Sequence, residues 1–171
     1  FPSKGRADAY KKYIKDKNKT FFCFQNCFPI NFKPKISNKL NIKYGKMLKN
    51  KKIICQLGSI GPTHFLKEII LSSKYLPKNY IIISGGVSVR GYASFLKSKV
   101  KKLNLANKIL IIENISDSLW FEILSKSSIG LCFYQGNYFS HQNMAGTSQK
   151  FNNYLFFNKP MLVNKNYDFK K

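Results

Sequence analysis

Short, uninterrupted apolar runs alternate along the chain with segments in which apolar residues recur every three or four positions. Continuous runs of this length are typical of strands buried on both faces, and the intervening pattern is typical of helices. The predicted strands are Ile53–Leu57, Tyr80–Ile83, Ile109–Ile112, Ile129–Phe133 and Met161–Val163. The predicted helices lie around residues 65–70, 92–103, 119–124 and 151–155. This strict alternation predicts an α/β fold, a Rossmann-like doubly wound parallel sheet with helices on both faces.

Residues that favour turns and helix caps stand where this pattern needs them. The pairs expected to open the helices are Pro62-Thr63, Gly85-Gly86, Ser116-Asp117 and Thr147-Ser148. Asn158 and Pro160 are expected to follow the end of the last helix.

The first fifty residues are less regular. Residues 1–18 predict a polar, Lys-rich helix, and Phe21–Phe24 predicts a short strand. The Lys- and Asn-rich segment Asn31–Asn50 contains Pro34 and Gly45, and it predicts a linker or a surface excursion.

Two loops share the character of a phosphate-binding site. Gly58–Thr63 follows the first regular strand, and Gly146–Ser148 precedes the last helix. Each loop is expected to present free backbone N–H groups and the positive end of a helix, which suits a phosphate. Because the carboxyl ends of parallel strands meet at one edge of a sheet, we expect the two loops to converge there.

The charge of the chain raises the question of its partners. Its 171 residues, 44% of them apolar, are enough for one domain with a core, and 30 basic against 7 acidic residues give a net charge of +23. Such an excess raises nucleic acid or an anionic membrane surface as a partner. Only Arg6 and Arg90 are arginines, whereas proteins that read nucleic acids commonly use Arg forks. No nucleic-acid partner is therefore expected, and peripheral attraction to anionic lipid stays open.

The cysteines and the usual catalytic motifs add little. Cys23 and Cys27 have no second pair, and Cys55 and Cys132 lie in apolar runs, so reduced thiols of a cytosolic protein are expected. The sequence contains no Asp-x-Asp metal motif and no P-loop lysine, so no metal or other cofactor is expected. No apolar stretch approaches the roughly twenty residues of a membrane span.

Several short motifs follow one another in a fixed order. They are Asn26–Pro29, Gln56–Ser59, Ile82–Gly86, Ser127–Tyr134, Ser148–Leu155 and Lys159-Pro160. Their order and spacing resemble those of the motifs in GT-B glycosyltransferases, over about residues 20 to 165. The residues within the motifs look most like those of the family 4 branch (glycosyl transferases group 1). The closing K-F-x-x-Y-L and K-P elements are the most specific part. The resemblance implies that residues 1–30 end an N-terminal acceptor domain and cross over, and that residues 31–171 form a nucleotide-sugar donor-binding Rossmann-like domain, incomplete at its C-terminus.

The resemblance also implies a site and an activity. The positions implied to bind the donor diphosphate are Gly58, Ser59, His64, Thr147, Ser148 and Lys150. Asn153 is implied to bind the ribose, and Glu113 and Asn114 lie where the nucleobase usually rests. The implied activity is transfer of a sugar from a nucleotide-sugar co-substrate to a glycan or lipid-linked acceptor, at the cytoplasmic face of the membrane. This fragment alone is expected to be inactive.

Four positions depart from the family's pattern. Ser59 stands where an Arg is frequent, His64 where a Lys or Arg is frequent, and Ala145 and Asn153 where the family has two glutamates. These departures keep open a catalytically inactive GT-B-like domain. The net charge alone keeps open a basic nucleic-acid-binding module.

Other polar residues near these loops are weaker candidates. Protonated His64 could donate one charged hydrogen bond, and Lys67 or Arg90 could replace the missing cation. The loop from Gln135 to Gly146 contains His141, which is expected near the donor sugar or in solvent.

Overall fold

The computed structural model of the chain describes residues 4–14, 18–24, 26–136, 141 and 147–165. Within these residues the chain forms one five-stranded sheet in which every neighbouring pair is parallel. The strands are β1 (Lys52–Leu57), β2 (Tyr80–Gly86), β3 (Ile109–Glu113), β4 (Ser127–Cys132) and β5 (Met161–Val163). Their order is β3-β2-β1-β4-β5, so the direction of winding reverses between β1 and β4. The predicted Rossmann-like α/β fold is confirmed.

Helices cover both faces of this sheet. Those of the described residues are α1 (Lys4–Lys11), α2 (Lys39–Leu48), α3 (Leu66–Ser72), α4 (Tyr92–Lys102), α5 (Asp117–Lys126) and α6 (Gln149–Phe156). Two single 3-10 turns, Pro62–His64 and Ser73–Tyr75, flank α3. Among these residues no helix has the length and apolar content needed to cross a lipid bilayer.

The central strands are buried on both faces, as their continuous apolar runs predict. Ile54 of β1 packs in a cluster with α3 and α4. Its neighbours Ile53 and Cys55 point to the other face and pack in a second cluster with α2, α5 and α6. β5 differs, because Leu162 and Val163 remain 52% and 40% exposed at the edge of the described sheet.

Several local predictions are wrong. The apolar run Phe21–Phe24 makes no strand, and Phe22 and Phe24 leave most of their surface exposed. Asn31–Asn50 is not all linker, because α2 forms within it and Leu40 is fully buried in the core. The pair Gly85-Gly86 does not open α4 but completes β2, and the helix begins after Gly91.

The start of α2 is held by a carboxylate from α5. The Glu122 side chain is fully buried and accepts hydrogen bonds from Leu40 N (3.0 Å), Asn41 N (3.2 Å), Ser37 Oγ (2.7 Å) and Lys126 Nζ (3.1 Å). It thus supplies the cap that α2 lacks, since the Asn38 side chain makes no capping bond. Burial raises the pKa of the Glu122 carboxyl, but these hydrogen bonds outweigh burial and hold the pKa below its usual value.

Glu122→Gln is expected to lower the free energy of unfolding at pH 7 by about 1–3 kcal/mol, because an amide offers one acceptor oxygen to four donors. The depressed pKa makes the carboxylate's contribution fully present above the unfolded-state pKa of about 4.3, and it is lost as the pH falls through the folded-state value. Urea unfolding should therefore show a difference at pH 7 that shrinks at pH 3. Glu68→Gln, at an exposed carboxylate, is the control. A difference that is the same at both pH values would contradict this role.

Candidate functional site

A cavity of about 340 Å³ opens at the carboxyl ends of β1 and β4. This is the point where the winding of the sheet reverses, and open α/β sheets bind their ligands at such a point. The lining residues come from both predicted loops, from α1, from α5, from the start of α6 and from the loop after β4. They are Arg6, Gly58, Ser59, His64, Trp120, Tyr134, His141, Thr147, Ser148, Gln149 and Lys150. The predicted convergence of the two loops is confirmed.

The first loop reaches the cavity in a way the sequence does not reveal. Gly58 has a φ of +135°, and its N–H donates to Gly85 O at 3.0 Å, so this amide is not free for a ligand. Ile60 N likewise donates to Val87 O at 2.8 Å. The pair Pro62-Thr63 does not open an α-helix as predicted, because Pro62–His64 is a single 3-10 turn and α3 begins only at Leu66. This loop therefore forms part of the cavity wall, and its Gly58 and Ile60 amides are not available to a ligand.

The second loop does open an α-helix onto the cavity. Ser148 is the N-cap of α6, and its Oγ accepts a hydrogen bond from Phe151 N at 3.1 Å, as the sequence predicts. The Ser148 hydroxyl also makes a short hydrogen bond with the Tyr134 hydroxyl. Gln149 and Lys150 form the first turn of α6, where backbone N–H groups have no carbonyl partner in the same helix. Both residues line the cavity. The positive end of α6 is therefore directed at this space.

The most unusual group of the site is the Lys150 ammonium. Lys150 is only 5% exposed, and Nζ has no hydrogen-bond partner among the described residues. Nζ lies 4.5 Å from the centre of the Tyr134 ring, which gives a cation–π contact but no counter-charge. Burial lowers the pKa of Lys150 to about 8, and the nearby Cys132 and Cys55 thiols offset only part of that effect. None of the described residues that line the cavity is Asp or Glu.

Two histidines and a tyrosine form the rim around this lysine. The His64 and His141 ring centroids lie 5.7 and 5.4 Å from that of Tyr134, and 5.8 Å from each other. Burial, and after it the electrostatic influence of Lys150 and His141, lowers the pKa of His64 to about 4. His64 is thus neutral near pH 7. His64 could donate a charged hydrogen bond only when protonated, and the lowered pKa makes that form rare near pH 7.

Other candidates lie away from the cavity. Asn153 faces a neighbouring cavity of about 310 Å³ beside Asn26, Cys27, Phe28 and Gln149. Its amide, oriented so that both atoms are satisfied, accepts from Trp120 Nε1 (2.9 Å) and donates to Gln149 O (3.1 Å). Binding of a ribose by Asn153 stays a prediction.

The residues implied for the nucleobase lie at the carboxyl end of a strand that is not beside the cavity. Glu113 ends β3 and pairs with Lys97, and Asn114 N donates to Gly86 O at 2.8 Å. β2 separates β3 from β1. Lys67 and Arg90 are exposed and do not line the cavity either. Ala145, with Gly146, lies outside the described residues.

Arg6, Trp120 and Tyr134 line the cavity but are absent from the sequence-based candidates. Tyr134 could have been found, because it follows β4 directly at the edge where ligands bind. Trp120 belongs to the apolar pattern of α5 and gave no separate signal. Arg6 lies in a segment far from the loops in sequence.

Helix α6 is anchored to the sheet by a buried tyrosine. Tyr154 is fully buried, and its hydroxyl accepts from Leu57 N (3.2 Å) and lies within donating distance of Cys55 O (3.1 Å) and Leu131 O (3.3 Å). Gly130 makes room for the ring, because a Cβ there would lie 2.6 Å from it. The tyrosine thus joins β1, β4 and α6 beneath the cavity.

Tyr154→Phe is expected to lower the free energy of unfolding by about 1–3 kcal/mol, because the buried Leu57 N–H loses its acceptor. Thermal or urea unfolding would measure this change. Tyr75→Phe, at a residue that is 79% exposed, provides the matched control and should change stability by less than about 0.5 kcal/mol. Equal effects of the two substitutions would count against the anchoring role.

No protein-family model matches the chain, and no curated protein is significantly similar to it in sequence. Solved structures do match. The Anabaena protein HepE, in complex with UDP and glucose, is 15% identical with a TM-score of 0.64, and the match covers 85% of this chain and 38% of HepE. WaaG, a glycosyltransferase of lipopolysaccharide biosynthesis, is 13% identical with a TM-score of 0.65 over 92% of this chain and 41% of WaaG.

A third match is to an isolated domain. The C-terminal domain of LpcC, a glycosyl transferase group 1 family protein of Francisella tularensis, is 17% identical with a TM-score of 0.53, over 77% of this chain and 68% of that domain. The chain spans about two fifths of the length of HepE and WaaG. The chain therefore has the Rossmann-like α/β fold that it shares with part of the GT-B glycosyltransferases.

Proposed function

We propose that this chain is the donor-binding part of a glycosyltransferase and that its cavity holds the diphosphate of a nucleotide sugar. The observation that carries the proposal is the buried Lys150 ammonium, which has no anionic partner among the described residues and lies beside the N-terminus of α6. A buried charge costs free energy unless it is paired. An anion in the cavity would supply the missing partner.

The shape of the site suits a diphosphate in particular. Lys150 lines the cavity with its Nζ atom buried, and the first-turn amides of α6 belong to residues of the same wall. One phosphate group is therefore assigned to Lys150 and the other to these amides. In sugar transfer an acceptor oxygen forms a bond to the anomeric carbon and gives up its proton, the bond from that carbon to the diphosphate oxygen breaks, and the electron pair of the broken bond stays on the diphosphate oxygen. A fixed cation and a helix end stabilise the negative charge as it develops.

The comparisons support the class of ligand. HepE was crystallised with UDP and with UDP-glucose, and it has the fold described here. By analogy we expect a nucleotide-sugar donor for this chain and a glycan or lipid-linked acceptor for the whole protein. Action at an anionic membrane surface inside the cell and metal-independent activation of the donor stay predictions.

Calorimetric titration tests the proposal. The chain should bind UDP, or another nucleoside diphosphate, with a dissociation constant between about 1 μM and 1 mM, a range typical of enzyme substrates. The corresponding monophosphate should bind more weakly, because it cannot reach both Lys150 and the α6 amides. If UDP, ADP and GDP all fail to bind at millimolar concentration, the proposal is wrong.

A catalytically inactive nucleotide-binding domain is the second candidate. It is favoured by the neutral state of His64, which leaves the cavity without a charged group at that family position. Turnover separates the two candidates. Release of UDP from a bound UDP-sugar by the full-length protein supports the transferase, whereas tight binding without any release supports the inactive domain.

A further inference from the structure

Arg6 reaches the cavity from a part of the chain remote from the other lining residues. It lies on α1, which packs onto the rest of the chain through the buried Ala7. Arg6 lines the same cavity as Lys150, and its Nε atom is shielded from solvent. The Arg6 side chain therefore lies at the cavity and does not extend freely into solvent.

The charge of the site requires more than one cation. A nucleoside diphosphate carries more than one negative charge, and Lys150 can supply at most one positive charge. His64 is neutral near pH 7 and cannot supply a second. Among the described lining residues, Arg6 is the remaining side chain with a permanent charge.

Resting on the proposed function, we propose that Arg6 is the second cation of the diphosphate site and that ligand binding fastens α1 over the cavity. A guanidinium stays charged at every physiological pH and binds two phosphate oxygens with parallel N–H groups. Lys150 and Arg6 then hold the diphosphate from two distant segments of the chain. The resemblance gives this role to cations after β1, where this chain has Ser59 and His64.

The arrangement has a mechanical consequence. The ligand bridges α1 to the end of β4 and the start of α6, so binding links segments that are joined in the chain only through a long connection. An occupied site should therefore hold α1 in place. Exposed lysines on α1, such as Lys4 and Lys11, then become harder for trypsin to cleave when UDP is bound.

UDP titration of three variants tests the assignment. Arg6→Gln should weaken UDP binding at least about tenfold, the loss expected for one charged hydrogen-bonding group. Arg6→Lys should recover part of the affinity, because it restores the charge without the fork. Lys4→Gln, at an exposed position of the same helix, should stay within about twofold of the unmodified protein.

The outcomes separate this inference from the proposed function. If the unmodified chain binds no nucleoside diphosphate, the proposed function itself fails. If the unmodified chain binds UDP and Arg6→Gln binds equally well, only the role of Arg6 is overturned. Should Arg6→Gln fail to fold by circular dichroism, trypsin cleavage of the unmodified protein decides: protection of α1 by UDP supports the inference, and cleavage at an unchanged rate overturns it.

Discussion

Replacing Lys150 by Met should strongly weaken the binding of nucleoside diphosphates and at the same time make the protein more stable. The ammonium is buried without a counter-charge among the described residues, and burial lowers its pKa from 10.5 to about 8. A shift of that size corresponds to a cost of about 3 kcal/mol for the charged form. Met fills similar space without a charge, so urea unfolding at pH 7 should show a gain of about 1–3 kcal/mol. UDP binding should weaken at least about a hundredfold.

The lowered pKa of Lys150 also determines how the stability of the protein changes with pH. Between the folded-state pKa near 8 and the unfolded-state value of 10.5, the unfolded chain holds a proton that the folded chain has lost. Stability of the unmodified protein should therefore rise as the pH increases across that range, because the cost of the buried charge disappears. The Met variant should lack this rise. Lys74→Met, at an exposed lysine, is the control, and a Met variant less stable than that control at pH 7 would contradict the account.

Gly86→Ala should be the most destabilising of the glycine substitutions at the carboxyl edge of the sheet. Gly86 has a φ of +150°, and a Cβ there would lie 1.6 Å from Gly58 O. To relieve this overlap one of the two backbone segments must move, and the Gly58 N to Gly85 O hydrogen bond holds them together. We expect a loss of more than about 4 kcal/mol, at the upper end of what single substitutions cause. Thermal unfolding would measure it.

Two other glycines provide graded controls for that experiment. Gly91 has a φ of +66°, but a Cβ added there would meet no described atom within 4 Å, so Ala should cost about 1 kcal/mol through backbone conformation alone. At Gly136 the φ is not positive and a Cβ would also have open space within the described part of the chain, so Ala should be nearly neutral. If Gly86→Ala were no worse than Gly91→Ala, the close approach of the two loops would not be a structural requirement.

The regular part of the fold could be predicted because its signals are local and consistent. Apolar runs mark β1 to β4, and Ser116 and Ser148 accept the capping bonds expected of them. The errors arise where tertiary contacts override the local pattern. Helix α2 lies in a Lys-rich segment, and its start is capped by Glu122 from a helix remote in sequence. Its own residues therefore do not show where it begins.

The site could be located from the sequence but its chemistry could not. Strand order and loop composition bring Ser59 and Ser148 to one cavity, as predicted. The pKa values of Lys150 and His64 depend on how deeply each side chain is buried and on which charges surround it. Residue spacing in the sequence predicts neither of these. The presence of Arg6 at the cavity depends on the packing of α1, which no motif encodes.

The most direct test of the account is a crystal structure of this chain with UDP. We expect a phosphate oxygen within about 3.2 Å of Lys150 Nζ and a second anionic oxygen near the first-turn amides of α6. A structure in which UDP is bound elsewhere, while the Lys150 ammonium stays buried and unliganded, would contradict it.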